Sequence, residues 1–478
     1  MRKIIRGGTV VSASDEFRAD VLIVDERISC VGTDIDAEGA DVVDAGGAYV
    51  IPGGIDTHTH FEHIVASRAT RTADDFASGS VAAAVGGTTS VVDFVRAPVG
   101  TGIEQAFLER RERAESAMAV DFGLHPMVPS WAGEDDSFDQ LSRLAERDGA
   151  ASWKFFMAYA GSMVDDGVLL RGFRRCAELG VLPMVHAENG HMVADATERL
   201  VASGRTAVED HVHAHPADSE AEAVDRAIRL ARQAGTPLFI VHVSAAEAIE
   251  VLRDHQRAGA SVVAETCPQY LVAASDAPEV RGALAAGYVC SPPIRERANQ
   301  EPLWRAVQDG TISTIGTDHA AFTLGEQPDL PPQKGAGGGD FTRTPNGVPG
   351  VEERLMVMHH HGVVARGMRM TRFVELTSAA PARTFGLTGK GAIVPGSDAD
   401  IVIWDPDATR VLRAATLHSR SDYCVYEGLE VTGVPRVVLG RGTTLAVDGE
   451  PTGALPGRGR YLRRSRRAPH TTSTRSGT

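Results

Sequence analysis

Cysteine is scarce in this chain, aromatics are few, and no hydrophobic run is long. The 478 residues hold five cysteines: Cys30, Cys176, Cys267, Cys290 and Cys424. Their number is odd, their spacing is wide and no CxxC pair occurs. That argues against a disulfide framework or a cysteine zinc knuckle and fits reduced thiols. No stretch approaches the ~20 apolar residues of a membrane span. The opening Met1-Arg2-Lys3-Ile4-Ile5-Arg6-Gly7 lacks the apolar core of a secretion signal. Bases are outnumbered, 48 against 63 acids, for a net charge of −15. An acidic surface repels nucleic acid and anionic membranes. These absences predict a soluble, cytoplasmic protein with neither partner. An apolar content of 43% is ordinary for a packed globular core.

What is present follows two patterns. Residues 1–51 read as short strands, such as Val21-Leu22-Ile23-Val24, separated by Gly, Asp and Ser turns. Residues 391–455 read the same way, with Ile401-Val402-Ile403-Trp404 as an example. Together the ends predict one small β-sandwich domain built from both termini. Between them, over 52–390, apolar runs alternate with helical patterns. The runs are Thr89–Phe94, Phe122–His125, Ser152–Phe156, Leu182–His186, Leu238–His242, Ser261–Glu265 and Thr311–Ile315. Counting Ala48–Ile51 makes eight. Strand-then-helix repetition of that count predicts a (β/α)8 barrel, with an open doubly wound sheet as the alternative. Residues 456–478, rich in arginine and then in Ser and Thr, read as a basic, flexible tail.

Chemistry concentrates at the strand ends. His58 and His60 stand two apart on an extended segment and so point to one side. His186 and His242 each end an apolar run, and Asp318 follows another. Four histidines and an aspartate at carboxyl ends of barrel strands match the face where barrel enzymes keep their active sites. Lys154 is flanked by Trp153 and Phe155-Phe156. Desolvation there would favour a neutral, nucleophilic amine that can capture carbon dioxide as a carbamate; a lysine snorkelling to solvent is the simpler reading. His211, His213 and His215 read as a polar loop. His359-His360-His361 lies on a predicted helix, around which its side chains spread.

The residues then resemble a known family. The motifs are Pro52-Gly53-Gly54-Ile55-Asp56-Thr57-His58-Thr59-His60, Lys154-Phe155-Phe156-Met157-Ala158-Tyr159, Val185-His186-Ala187-Glu188-Asn189-Gly190, Glu265-Thr266-Cys267-Pro268-Gln269-Tyr270, Ser291-Pro292-Pro293-Ile294-Arg295, Gly316-Thr317-Asp318-His319 and Pro345-Asn346-Gly347. They resemble the dihydropyrimidinase/hydantoinase branch of the metal-dependent amidohydrolases nearly end to end. That resemblance implies two zinc ions per subunit, with manganese or cobalt as substitutes. His58, His60 and Asp318 would hold the more buried ion, and His186 and His242 the outer one. A carboxylated Lys154 and a hydroxide would bridge them. The hydroxide would attack the carbonyl of a small cyclic amide, with Asp318 as proton shuttle and Tyr159 as oxyanion donor. Tyr159, Ser291 and Asn346 would bind the ring. Relatives of this kind imply a homotetramer. Sister hydrolases, the allantoinases and dihydroorotases, are the alternative; they carry an arginine after the HxH pair for an acidic substrate, where this chain has Glu62. A scaffold relative without metal is the non-enzymatic alternative, and this chain keeps all six candidate ligands. The segment Phe61-Glu62-His63-Ile64-Val65-Ala66-Ser67, part of the lid over the substrate's exocyclic group, departs from the family pattern, and Phe94-Val95-Arg96-Ala97-Pro98 is also individual.

Overall fold

The two chain ends share one sheet. Arg2–Val11 pairs antiparallel with Glu16–Val24, and Ile401–Val411 pairs with Glu430–Gly440. Tyr49–Pro52 joins the halves, lying parallel to Thr9-Val10 and antiparallel to Ile401–Trp404. The result is a nine-stranded sheet around its own small core, which includes Val21, Ile23, Val50, Ile401 and Ile403. The computed structural model describes residues 2–132 and 136–468.

Eight further strands form the middle of the chain: β1 (Gly54–Thr59), β2 (Thr88–Val95), β3 (Asp121–Pro126), β4 (Ser152–Phe156), β5 (Leu182–His186), β6 (Leu238–Ile240), β7 (Val262–Thr266) and β8 (Thr314–Ile315). Each pairs parallel with its neighbour within two sheets. Parallel bridges Met127↔Lys154 and Thr59↔His319 join the sheets at both seams, so the strands run in a ring. This is the (β/α)8 barrel. Burial on both faces explains the continuous apolar runs: all eight residues of β2 are buried. Helices cross between strands with ordinary stop signals. Asp165 caps Asp166–Leu179 through the Val168 N–H, and Gly180 ends it at φ 68° before the chain turns into β5.

Two expectations fail. Ala48–Ile51 was counted as the first barrel strand, yet Tyr49–Pro52 belongs to the terminal sheet and β1 begins at Gly54. Only Gly53 separates the end of the terminal strand from the start of β1, too short a break to mark a change of sheet. His58 therefore lies within the strand. The basic segment is also not a free tail up to Ala468. Leu462 N–H donates to Phe122 O at 2.7 Å, Arg467 N–H to Gly180 O at 2.9 Å, and Arg460 pairs with Glu26 at 2.6 Å. Arg464 is buried and donates to Leu124 O and Ser152 Oγ, each at 2.6 Å. A charge run looks solvated until its partners are known, and here the barrel supplies carbonyls and acids. Residues 469–478 lie outside the described residues.

Candidate metal centre

The parallel barrel brings its strand ends together, and the predicted ligands meet there. Asp318 Oδ1 lies 3.1 Å from His58 Nε2 and 3.0 Å from His60 Nε2. His186 Nδ1 and His242 Nε2 face each other at 2.9 Å. The His58 and His242 rings are 5.4 Å apart, centroid to centroid, which links the two pairs. Lys154 is only 1% exposed, with Nζ 5.1 Å and 5.3 Å from the ring centres of Phe94 and Phe156. Among the described residues, His58, His60 and Asp318 form a group that could hold a metal ion. The other such group, Asp121, Asp398 and Asp400, is filled by Lys390 Nζ at 2.6, 2.9 and 2.7 Å.

Burial and charge set the protonation states. Burial lowers Lys154 to about 8 although Asp318 and Glu265 oppose it. His58 goes the other way: burial resists, but Asp318 and Glu265 lift it to about 9. Burial pushes His242 well down and His186 down, so both imidazoles are poised to be neutral ligands. Asp318 stays ionised despite burial because His58 and His60 hold its carboxylate. Three residues here have positive φ: Tyr159 at 75°, His242 at 41° and Asp318 at 53°. Side chains with a Cβ adopt that region uncommonly, Asp and His more readily than bulky residues.

The ring-binding candidates also converge. Asn346 Nδ2 donates to Ser291 Oγ at 2.7 Å, and the Ser291–Pro292 bond is cis. Tyr159 hydroxyl donates to Glu188 at 3.1 Å. Gly347 has φ 147° and packs against Ala320, where a Cβ would clash.

Some partners were not foreseen. Glu265 accepts from His58 Nδ1 at 2.6 Å. Glu188 accepts from His186 Nε2 at 2.7 Å and His215 Nδ1 at 2.8 Å. Each acid lies at or just past the end of an apolar strand, and that placement was the available signal. The polar-loop reading of His211, His213 and His215 is corrected. His211 and His215 are buried, with His211 Nε2 donating to Cys290 O at 2.8 Å, and only His213 is exposed. Folding turned this short helix inward. His359 packs on Trp404, and both His359 and His360 bond the backbone of Thr432.

The chain as a whole is similar to known proteins. The amidohydrolase family profile matches residues 49–445. A D-hydantoinase from Streptomyces coelicolor is 43% identical over 474 residues, covering 97% of this chain and 98% of its own. One from Geobacillus stearothermophilus is 41% identical over 468 residues, covering 98% and 97%. The crystal structure of a dihydropyrimidinase from Brevibacillus agri superposes with a TM-score of 0.93 at 40% identity, covering 98% of this chain and 100% of that one.

Proposed function

The chain belongs to the amidohydrolase family, in its hydantoinase and dihydropyrimidinase branch, and from that premise we propose a binuclear metal-dependent hydrolase that opens hydantoin or 5,6-dihydropyrimidine rings to N-carbamoyl amino acids. The observation that carries this reading is the convergence of His58, His60, His186, His242, Lys154 and Asp318 at one end of the barrel.

The donor set fits metal. Nitrogens of neutral imidazoles crowd one another at 2.9 Å, and a carboxylate oxygen stands between two more. Imidazole with carboxylate suits zinc, and also manganese or cobalt. His58, His60 and Asp318 would hold one ion, and His186 and His242 the other. Lys154, carboxylated on Nζ, would bridge them; its burial supports this, since a carbamate forms from the neutral amine. When bound, the ions supply an activated water near neutral pH and polarise the ring carbonyl.

The chain's own residues do the rest. Asp318 accepts a proton from the attacking water and returns it to the ring nitrogen as the carbon–nitrogen bond breaks. Tyr159 donates a hydrogen bond to the developing oxyanion. Ser291 and Asn346 hold the imide edge of the ring, and Gly347 lets the backbone approach it. We place the protein in the cytoplasm, as a homotetramer by resemblance. Among the described residues no helix is long and apolar enough to cross a membrane.

The test is an assay of the metal-loaded protein on hydantoin, dihydrouracil, allantoin and dihydroorotate, with metal analysis. Ring opening of either of the first two with about two ions per subunit supports the proposal. Activity confined to the last two would move the chain to the sister hydrolases. Less than one ion, without gain on adding zinc, would leave a scaffold.

A further inference from the structure

We propose that Arg96 gives this site a subsite for a carboxylate on the exocyclic group of the ring, so that its preferred substrates are cyclic amides bearing a short acidic side chain. The inference rests on the cyclic-amide reading above and adds the substrate class.

Arg96 follows the last residue of β2, on the same barrel face as the metal-ligand candidates. Its guanidinium carbon lies 5.5 Å from the Phe156 ring centre. Phe156 in turn stacks on His186 at 5.6 Å. One guanidinium nitrogen donates to Ser162 Oγ at 3.0 Å, and Ser162 N–H bonds back to Tyr159 O at 3.0 Å. The individual loop after His60 brings its His63 ring within 5.0 Å of that of His60. Arg96 thus sits at the end of β2 against the loop that carries Tyr159, with Phe156 touching both it and His186.

Its charge is unmatched. Among the described residues no acid forms an ion pair with Arg96, and the nearby acids are engaged elsewhere: Asp93 with Arg110, and Glu62 with Arg113. The side chain is half-buried. Taking a guanidinium from water without an anion is costly. Phe156 and a serine hydroxyl repay only part of that cost. Arginine stays charged, and its planar fork is shaped to accept a carboxylate through two parallel hydrogen bonds. The two arginines of the lid segment, Arg68 and Arg71, are both exposed.

The experiment compares hydantoin-5-acetic acid with its uncharged, nearly isosteric amide, hydantoin-5-acetamide, on the metal-loaded enzyme. The wild type is expected to favour the acid in kcat/KM. In Arg96→Leu the acid-to-amide ratio should fall by roughly ten- to hundredfold, the size of one hydrogen bond to a charged group, and mainly through KM. Arg96→Lys should keep part of the ratio. Ser162→Ala removes the strut to the Tyr159 loop without removing the charge, and should keep the ratio. Equal losses on acid and amide in Arg96→Leu, or a collapse of the ratio in Ser162→Ala, would make Arg96 a strut and overturn the proposal. So would a wild type without preference for the acid. Failure of the underlying reading looks different: neither hydantoin nor dihydrouracil is opened. In that case calorimetric binding of the acid and the amide decides, and equal affinities overturn the subsite.

Discussion

Glu265 holds Nδ1 of His58 at 2.6 Å, with both side chains buried. That bond holds a proton on Nδ1 and aims Nε2 at Asp318, 3.1 Å away. Carboxylate partners of this kind raise the basicity of a ligating histidine, and their loss costs about ten- to hundredfold in metal affinity. Glu265→Gln keeps the shape and loses the charge, so metal affinity should drop by that factor in chelator competition. Unchanged affinity would reduce Glu265 to packing.

Lys154→Ala should lose metal and activity together, because no other described side chain stands ready to bridge the two histidine pairs. Elemental analysis of the purified variant is the check; two retained ions would eliminate the carbamate bridge. The wild type carries a matching pH dependence. The amine is neutral above about 8, so metal-free protein in bicarbonate and zinc should load faster as pH rises from roughly 7 to 9.

Lys334 is fully buried and donates to Ala286 O at 2.9 Å and Val289 O at 2.7 Å. A neutral amine has two N–H groups, which matches two carbonyls. Burial lowers this lysine to about 7. Unfolded, it titrates near ~10.4. Between these values the unfolded chain binds the extra proton, so stability rises with pH; below 7 both states are protonated and the penalty is constant. The Tm of the wild type relative to Lys334→Met should therefore climb from about pH 7 to 10 and stay level below 7. Parallel curves would show that Lys334 does not titrate in this range.

Arg464 is buried near the tail and bonds Leu124 O and Ser152 Oγ. Arg464→Ala strands those acceptors and should cost about 2–3 kcal/mol in equilibrium urea unfolding. A loss below about 0.5 kcal/mol, typical of an exposed surface site, would return this segment to solvent.

Much of the site was legible early because its residues sit at the ends of apolar runs. His186 closes β5, and His242 and Asp318 follow β6 and β8 closely. In a parallel barrel those ends share one face, so local pattern implied a common site. Lys154 was legible as an oddity, a lysine among aromatics. Glu265 and Glu188 were visible but unassigned, since their partners lie 207 residues away in one case and, for His215, 27 in the other. The division between terminal sheet and barrel was not legible at Gly53, where two strands of different sheets follow one another with a single residue between them.

By itself, then, the sequence determined the candidate set: four histidines and an aspartate in or just after apolar strands and a lysine inside one, on a repeat that closes as a barrel. Periodicity and residue type are local properties, and they set the direction in which each side chain leaves its strand. Only the tertiary structure decided which charges are paired. It buried Arg464, filled the Asp121–Asp398–Asp400 cluster with Lys390 and, among the described residues, left Arg96 without an acid. Pairing depends on what folding brings within a few ångströms, and no spacing along the chain encodes that.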